Sequence, residues 1–298
     1  MYTEEQIKQL FSDKILKYLK KKNAGGISNE KGNTYENIFA LYQIACLSKQ
    51  VIEDGRGINF YSQIKAFIDD LIIDFTDTNL LQHYQLKNSQ NIVWGKGDKS
   101  ISDDFKNQYI LNQSISKISQ LYLVVSDEKL KTKLKRNLPS EIKLYSQVIY
   151  FSYQPNFIKF VKKNSDFREA IVYLSAFENP DPDKMESVAT VLLGAWVSSN
   201  KNCVSLIDIL KKAQGCTPSY IRSFALEYQL DPELENILNQ VPNFSYNLTK
   251  GFLHWSYGDG LDEGTLPYSI ESDQFQRFKD LIKRNRPTTF DQLEAYLI

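Results

Sequence analysis

Histidine is almost missing from this 298-residue chain, which has only His83 and His254. A His-built zinc cluster and a His-centred catalytic triad are therefore not expected. Cysteine is scarce as well. Cys46, Cys203 and Cys216 are odd in number and lack C-x-x-C spacing, which argues against a disulfide framework or zinc site and fits a reducing cytoplasm. No stretch approaches the roughly 18 apolar residues of a spanning helix. The opening MYTEEQIKQL has no apolar signal core, so a soluble cytoplasmic protein with no membrane partner is expected. Net charge is also absent, with 36 Lys plus Arg against 36 Asp plus Glu. That argues against a passive coat for nucleic acid but leaves room for a local basic groove. The glycine-containing loops match no P-loop, so nucleotide hydrolysis is not expected.

What is present is ordinary for a globular protein: 42% hydrophobic and 24% charged residues. Aromatics are plentiful, with 18 Tyr and 17 Phe, and suit a dense core or a partner surface. The length allows one large or two ordinary domains. Residues 3–22 carry a helical apolar stripe ending in Lys20-Lys21-Lys22, and a Gly/Ser/Asn loop follows over 23–32. A second helix is expected over 34–52, an extended segment over 58–66, a third helix over 103–117 and a buried strand at Leu121–Val125. The expected architecture is thus a mixed-sheet α/β domain over 1–126. After it, helical periodicity over 129–137, 156–177, 185–198, 206–213 and 219–228 predicts a mainly helical domain over 127–298.

The chain is organised around FIDDLIIDFTDTNLLQHYQLK, residues 67–87. Two strands, 67–75 and 80–87, flank the turn Thr76-Asp77-Thr78-Asn79. Alternation sets His83, Gln85 and Lys87 on one face, with Tyr84 and Leu86 on the other. Pairing lets Asp70 approach Gln85 and Lys87. Asp69 and Asp74 compete for the role of Asp70, and Asp74 shares its face. A carboxylate, an amide oxygen and the main-chain carbonyl of Leu86 suffice for Mg²⁺, with Mn²⁺ as the alternative ion. Lys87 would orient water or steady the phosphorane, and Glu36 on the preceding helix would add a carboxylate. The plain alternative is an edge hairpin whose polar residues face water.

These residues resemble the PD-(D/E)xK restriction-endonuclease-like superfamily, through Asp70 followed by Gln85-Leu86-Lys87 on the next strand. Within it, the chain is similar to the double-stranded DNA endonuclease domain that serves as an effector in CBASS and Lamassu antiphage systems. The matching residues are Gly25-Gly26, Lys31-Gly32, Tyr35-Glu36, Asp69-Asp70-Leu71-Ile72-Ile73 and Tyr84-Gln85-Leu86-Lys87, within about residues 24–126. The resemblance implies a catalytic core of Asp70, Gln85 and Lys87, with Glu36 as the helix acid. Gln85 stands where the broad superfamily commonly has an acid, and this subgroup has Gln. No cyclic-nucleotide sensor is recognisable in 127–298, which favours a Lamassu-like nuclease subunit. It implies double-stranded DNA as substrate, a homo-oligomer when active and an SMC-like ATPase or other defence subunit bound through the C-terminal half.

Two further surfaces stand out. Lys129-Leu130-Lys131-Thr132-Lys133-Leu134-Lys135-Arg136 is either a phosphate track or a solvated helix face. Residues 202–224 have the outline of a helix-turn-helix, with 244–257 as a wing. Two other functions follow: a non-catalytic adaptor on a nuclease-like scaffold, or a helix-turn-helix regulator of transcription.

Overall fold

The Lys20-Lys21-Lys22 run does not end its helix. In the computed structural model, which describes residues 2–26, 30–89, 91–152, 154, 156–225 and 227–297, that helix continues to Gly26. The side chains of 23–32 lie outside the described set. The expected single helix is in fact two, α1 (Glu4–Leu10) and α2 (Asp13–Gly26). Thr3 and Gln6 form a capping box on the first, and Ser12 Oγ accepts from Ile15 N at 3.4 Å to start the second. The expected 23–32 loop shrinks accordingly, because α3 (Glu30–Ile52) already begins at Glu30; residues 27–29 lie outside the described residues.

The chain then runs through β1 (Ile58–Tyr61), β2 (Leu71–Phe75), β3 (Leu80–Lys87), α4 (Ile101–Ser114), β4 (Ile118–Val125), α5 (Glu128–Arg136), β5 (Ser146–Tyr150), α6 (Phe157–Lys163), α7 (Ser165–Leu174) and α8 (Pro182–Val197). It closes with β6 (Val204–Ser205), α9 (Leu206–Gln214), α10 (Pro232–Asn239), β7 (Phe244–Thr249), β8 (Phe252–Tyr257), β9 (Asp262–Thr265), α11 (Asp273–Asn285) and α12 (Phe290–Glu294). The fold is mixed α/β, with twelve helices among the described residues and a six-stranded mixed sheet ordered β5-β4-β3-β2-β1-β6. Among the described residues no helix is long and apolar enough to cross a membrane.

β2 and β3 form the expected hairpin, antiparallel with Leu71 opposite Tyr84 and Phe75 opposite Leu80. β2 starts four residues later than 67, and its five residues are all buried, as befits a strand covered on both faces. Asn79 closes the turn at φ 55°, a left-handed conformation asparagine tolerates. β3 is paired on its other side with β4, in parallel, from Leu80↔Ile118 to Lys87↔Val125. Alternation decides the layers. Tyr84 packs on Phe39 of α3 at 5.1 Å between ring centroids, while its neighbour His83 meets α4 through Gln108. Helix α3 therefore covers one face and α4 the other, with Leu130 and Leu134 of α5 in the same cluster as Phe105, Leu121, Leu123 and Val125.

The expected boundary at 126/127 falls inside the sheet. β5 pairs in parallel with β4 (Leu121↔Ser146 to Val125↔Tyr150), and β6 adds antiparallel to β1. The first compact unit is Met1–Phe160 with Leu193–Ile209; the second is Val161–Leu192 with Leu210–Ile298. The physical reason is closure of the hydrogen-bond ladder: β4 would otherwise be an open edge. β5 is short and alternates buried with exposed residues, so it lacks the apolar run that marks a central strand.

The second unit has more helix than strand, α7, α10, α11, α12 and most of α8, and adds an antiparallel sheet, β7-β8-β9, that the helical periodicity did not announce. Its core joins Leu234, Leu238, Leu253, Phe275, Phe278 and Phe290, with Tyr257 stacked on Phe290 at 3.9 Å. The helix-turn-helix expectation is corrected here. α9 is present, but the described residues of 219–228 are not helical. Ala176 N donates to Tyr220 O at 2.9 Å and Arg222 N to Leu174 O at 2.8 Å, around a Ser175–Ile221 bridge. Ile221 and Ser223 are fully buried while Tyr220 and Arg222 are not, a period of two rather than 3.6. The expected wing, 244–257, is β7 and β8 of that three-stranded sheet, joined by a turn, Lys250-Gly251, with φ 55° and 83°.

Candidate active site

Asp70 stands immediately before β2, and the β2/β3 register continues to place it opposite Gln85. Gln85 Nε2 donates to Asp70 Oδ2, and Leu86 N donates to the same oxygen at 2.7 Å. The Leu86 contact to Asp70 is made through its N–H. The segment is fixed from outside: Gln63 N donates to Asp69 O at 2.7 Å, Ser62 Oγ to Asp70 O at 2.8 Å, and Gln108 Oε1 accepts from Phe67 N and Ile68 N at 2.9 and 3.2 Å. Asp69, Asp70 and Gln85 are all buried.

Glu36 joins them from α3. Because α3 begins at Glu30, Glu36 lies beyond its first turn, where the helix dipole offers a carboxylate little. Gln63 Nε2 donates to Glu36 Oε2 at 2.9 Å. Burial, reinforced by the Asp70 carboxylate, pushes Glu36 up to about 7 and Asp69 up to about 8. The Lys87 ammonium opposes both shifts. The structure thus brings Asp70 and Gln85 into direct contact, with Glu36 and Asp69 linked to Asp70 through their charges.

Asp74 does not join them. It lies four residues along the strand, roughly 13 Å from Asp70 at ordinary strand rise, and is ion-paired with Lys117 at 2.8 Å. His83 does not line a cleft or the surface. It is fully buried; its Nδ1 donates to Ile68 O at 2.9 Å, and burial lowers it to about 4, so it is neutral.

Two residues escape sequence reading. Asp104, one turn inside α4, and Lys22 of α2 reach the same place. Lys22 Nζ donates to Gln85 Oε1 at 3.1 Å, to Asp104 Oδ2 at 3.0 Å and to Phe67 O. Burial alone would lower Lys22, yet Asp104, Asp69 and Asp70 outweigh it and hold the ammonium above its usual range. The only sequence signal was the lysine run itself, which reads equally well as a helix end.

The carboxyl shifts carry a pH prediction. A carboxyl raised in the fold binds its proton more tightly there than in the unfolded chain, so its stabilisation is complete below the ordinary range and lost as pH climbs. For Glu36 the loss runs up to about 7 and for Asp69 up to about 8. His83, lowered from 6.5 to about 4, has the opposite sign and costs stability only as pH falls below 6.5. The melting temperature without divalent ions should therefore decline between pH 6.5 and 8. Glu36→Gln and Asp69→Asn should each flatten that slope in thermal unfolding at fixed ionic strength; an unchanged slope contradicts the assignment.

Among the described residues, no three His, Cys, Asp or Glu side chains converge closely enough to hold a metal ion on their own. A hard ion here would have to share amide and main-chain oxygens, which Mg²⁺ accepts. The site passes that test in one respect: it already stabilises a cation, the Lys22 ammonium, with three oxygens from separate segments. Comparison with known proteins finds no matching family model, no matching curated protein and no matching solved structure.

Proposed function

We propose that this chain is a Mg²⁺-dependent endonuclease that cuts double-stranded DNA with little sequence preference, on a restriction-endonuclease-like sheet. The observation that carries the reading is the pairing of buried Asp70 with Gln85 across the β2/β3 hairpin of a mixed sheet, with the Glu36 carboxyl raised by the Asp70 charge. Asp70 and Gln85 would hold the ion, with Asp69 and Glu36 adding negative charge. The ion, Mg²⁺ or Mn²⁺, would lower the pKa of a bound water and neutralise charge building on the phosphate. Lys87 would orient the attacking water, and Glu36, at about 7, sits where a carboxyl exchanges protons at neutral pH.

A DNA path is consistent with the surface next to the site. Ser126 Oγ donates to Asn88 Oδ1 at 2.6 Å, tying the ends of β4 and β3 together just before α5. Lys129, Lys133, Lys135 and Arg136 of α5 are exposed, as are Lys96, Lys99 and Lys106 around the start of α4. Among the described residues none of these seven is held in an ion pair. Exposed cations outside ion pairs suit phosphate contacts.

An unrestrained nuclease of this kind would destroy its host's chromosome, so we assign it an effector role in antiphage defence. Activity would come from clustering into a homo-oligomer or from release by a partner such as an SMC-like ATPase, with several weak DNA contacts acting together. The test is nicking of supercoiled plasmid in Mg²⁺ by wild type and Lys87→Ala. Cutting that disappears in the variant supports the reading. Equal cutting by both points to a contaminant, and no cutting by artificially clustered wild type favours a non-catalytic adaptor.

A further inference from the structure

We propose that Lys22 and a divalent cation are alternative occupants of one oxygen cage, built from Phe67 O, Gln85 Oε1 and Asp104 Oδ2, and that α2 is the latch holding the lysine in it. The inference rests on the metal-site reading above and adds two ligands to it, Asp104 and the Phe67 carbonyl.

An ammonium has three N–H donors, and Lys22 has three oxygen acceptors from three unrelated parts of the chain. Its donors are saturated, with Asp69 and Asp70 adding negative charge nearby. Carboxylate, amide and main-chain oxygens around a point cation are also what a hard divalent ion takes. The two cations cannot share the cage, because like charges a few ångströms apart repel strongly in a poorly hydrated site.

The lysine is delivered by an element with modest attachments. Along α2, Leu16 and Leu19 are buried against Phe67 and Leu111, while most of the other described side chains of the helix face solvent. Tyr18, one turn before Lys22 and on the same face, places its hydroxyl 3.3 Å from both carboxylate oxygens of Asp104. Tyr18 and Lys22 therefore grip the same carboxylate. Withdrawal of α2 would free Asp104 and Gln85 Oε1 in a single movement, giving a partner that binds the amino-terminal helices direct control of the ion.

The experiment is a Mn²⁺ titration, read by water-proton relaxation, on full-length wild type, Lys22→Met and Lys22→Met/Asp104→Asn. If the latched form holds about nine-tenths of the molecules, its removal should raise apparent Mn²⁺ affinity about tenfold. Loss of Asp104 in that background should reverse the gain. In wild type, saturating Mn²⁺ should speed amide hydrogen exchange over residues 13–22, a readout that does not depend on the variants folding. Affinity unmoved or weakened by Lys22→Met, or Mn²⁺ binding to wild type with exchange over 13–22 unchanged, overturns the latch. Cleavage separates the two ideas. Tighter Mn²⁺ binding by Lys22→Met with no plasmid cutting by any form keeps the cage and sinks the nuclease. Active wild type with unmoved affinity does the reverse.

Discussion

Asp70→Asn should remove Mg²⁺-dependent cleavage while leaving the chain folded. The change keeps the size of the side chain and an oxygen that can accept from Leu86 N, so the strand register has no reason to move. It deletes the charge that an ion would bind, in a buried setting where charge counts most. A drop in rate on the order of a hundredfold to a thousandfold is expected, as for loss of one preorganised electrostatic partner elsewhere. Stability should hold or rise, because Asp70 is one of the charges that push Glu36 and Asp69 upward. For the same reason the Glu36 carboxyl should titrate lower in the variant, a shift that NMR of a ¹³C-labelled side chain can follow without any activity assay. Cleavage at the wild-type rate by a purified, folded Asp70→Asn protein would remove Asp70 from the chemistry.

A fragment ending at residue 126 should fail to fold, although the sequence invites that cut. It loses β5 and leaves β4 as an open edge. It also strips Leu130, Leu134, Ile142 and Val148 from the cluster that covers Ile68, Phe105, Leu121 and Leu123. On the other face it loses Phe151 and Phe160 from beside Phe39 and Tyr42, and Trp196, which packs on Phe60 and donates to Asn37 Oδ1 at 3.0 Å. Seven buried side chains at about 1.5–3 kcal/mol each amount to at least ~10 kcal/mol, comparable with the whole stability of an ordinary domain, about 5–15 kcal/mol. Circular dichroism should show no cooperative melting of the fragment, and its proton spectrum should be poorly dispersed. A sharp transition would mean that the first 126 residues close a core on their own.

The contrast between these two positions shows how much could be read in advance. The hairpin was legible because every signal in it is local: alternation along 80–87, a four-residue polar turn and an Asp-Asp pair one pairing distance from Gln85. The α3 helix was legible from its apolar face. β5 and β6 were not, since a five-residue and a two-residue strand acquire their identity only from the partner they pair with. Residues 219–228 misled because apolar spacing there fits a helix about as well as it fits a short extended segment, and tertiary pairing with residues 174–176 decided between them.

By itself the sequence determined the hairpin, the faces of its strands and the approach of Asp70 to Gln85, because strand period and turn chemistry act over a few residues. Only the tertiary structure decided that His83 is a neutral core residue, that Asp74 belongs to Lys117, that the sheet runs on past residue 126, and that Lys22 and Asp104 stand at the site. Those outcomes depend on which distant segments share the cost of burying a charge or an unpaired strand edge. No local pattern encodes that choice; it is made when residues 22, 67, 85 and 104 are brought together by the packing of helices on both faces of one sheet.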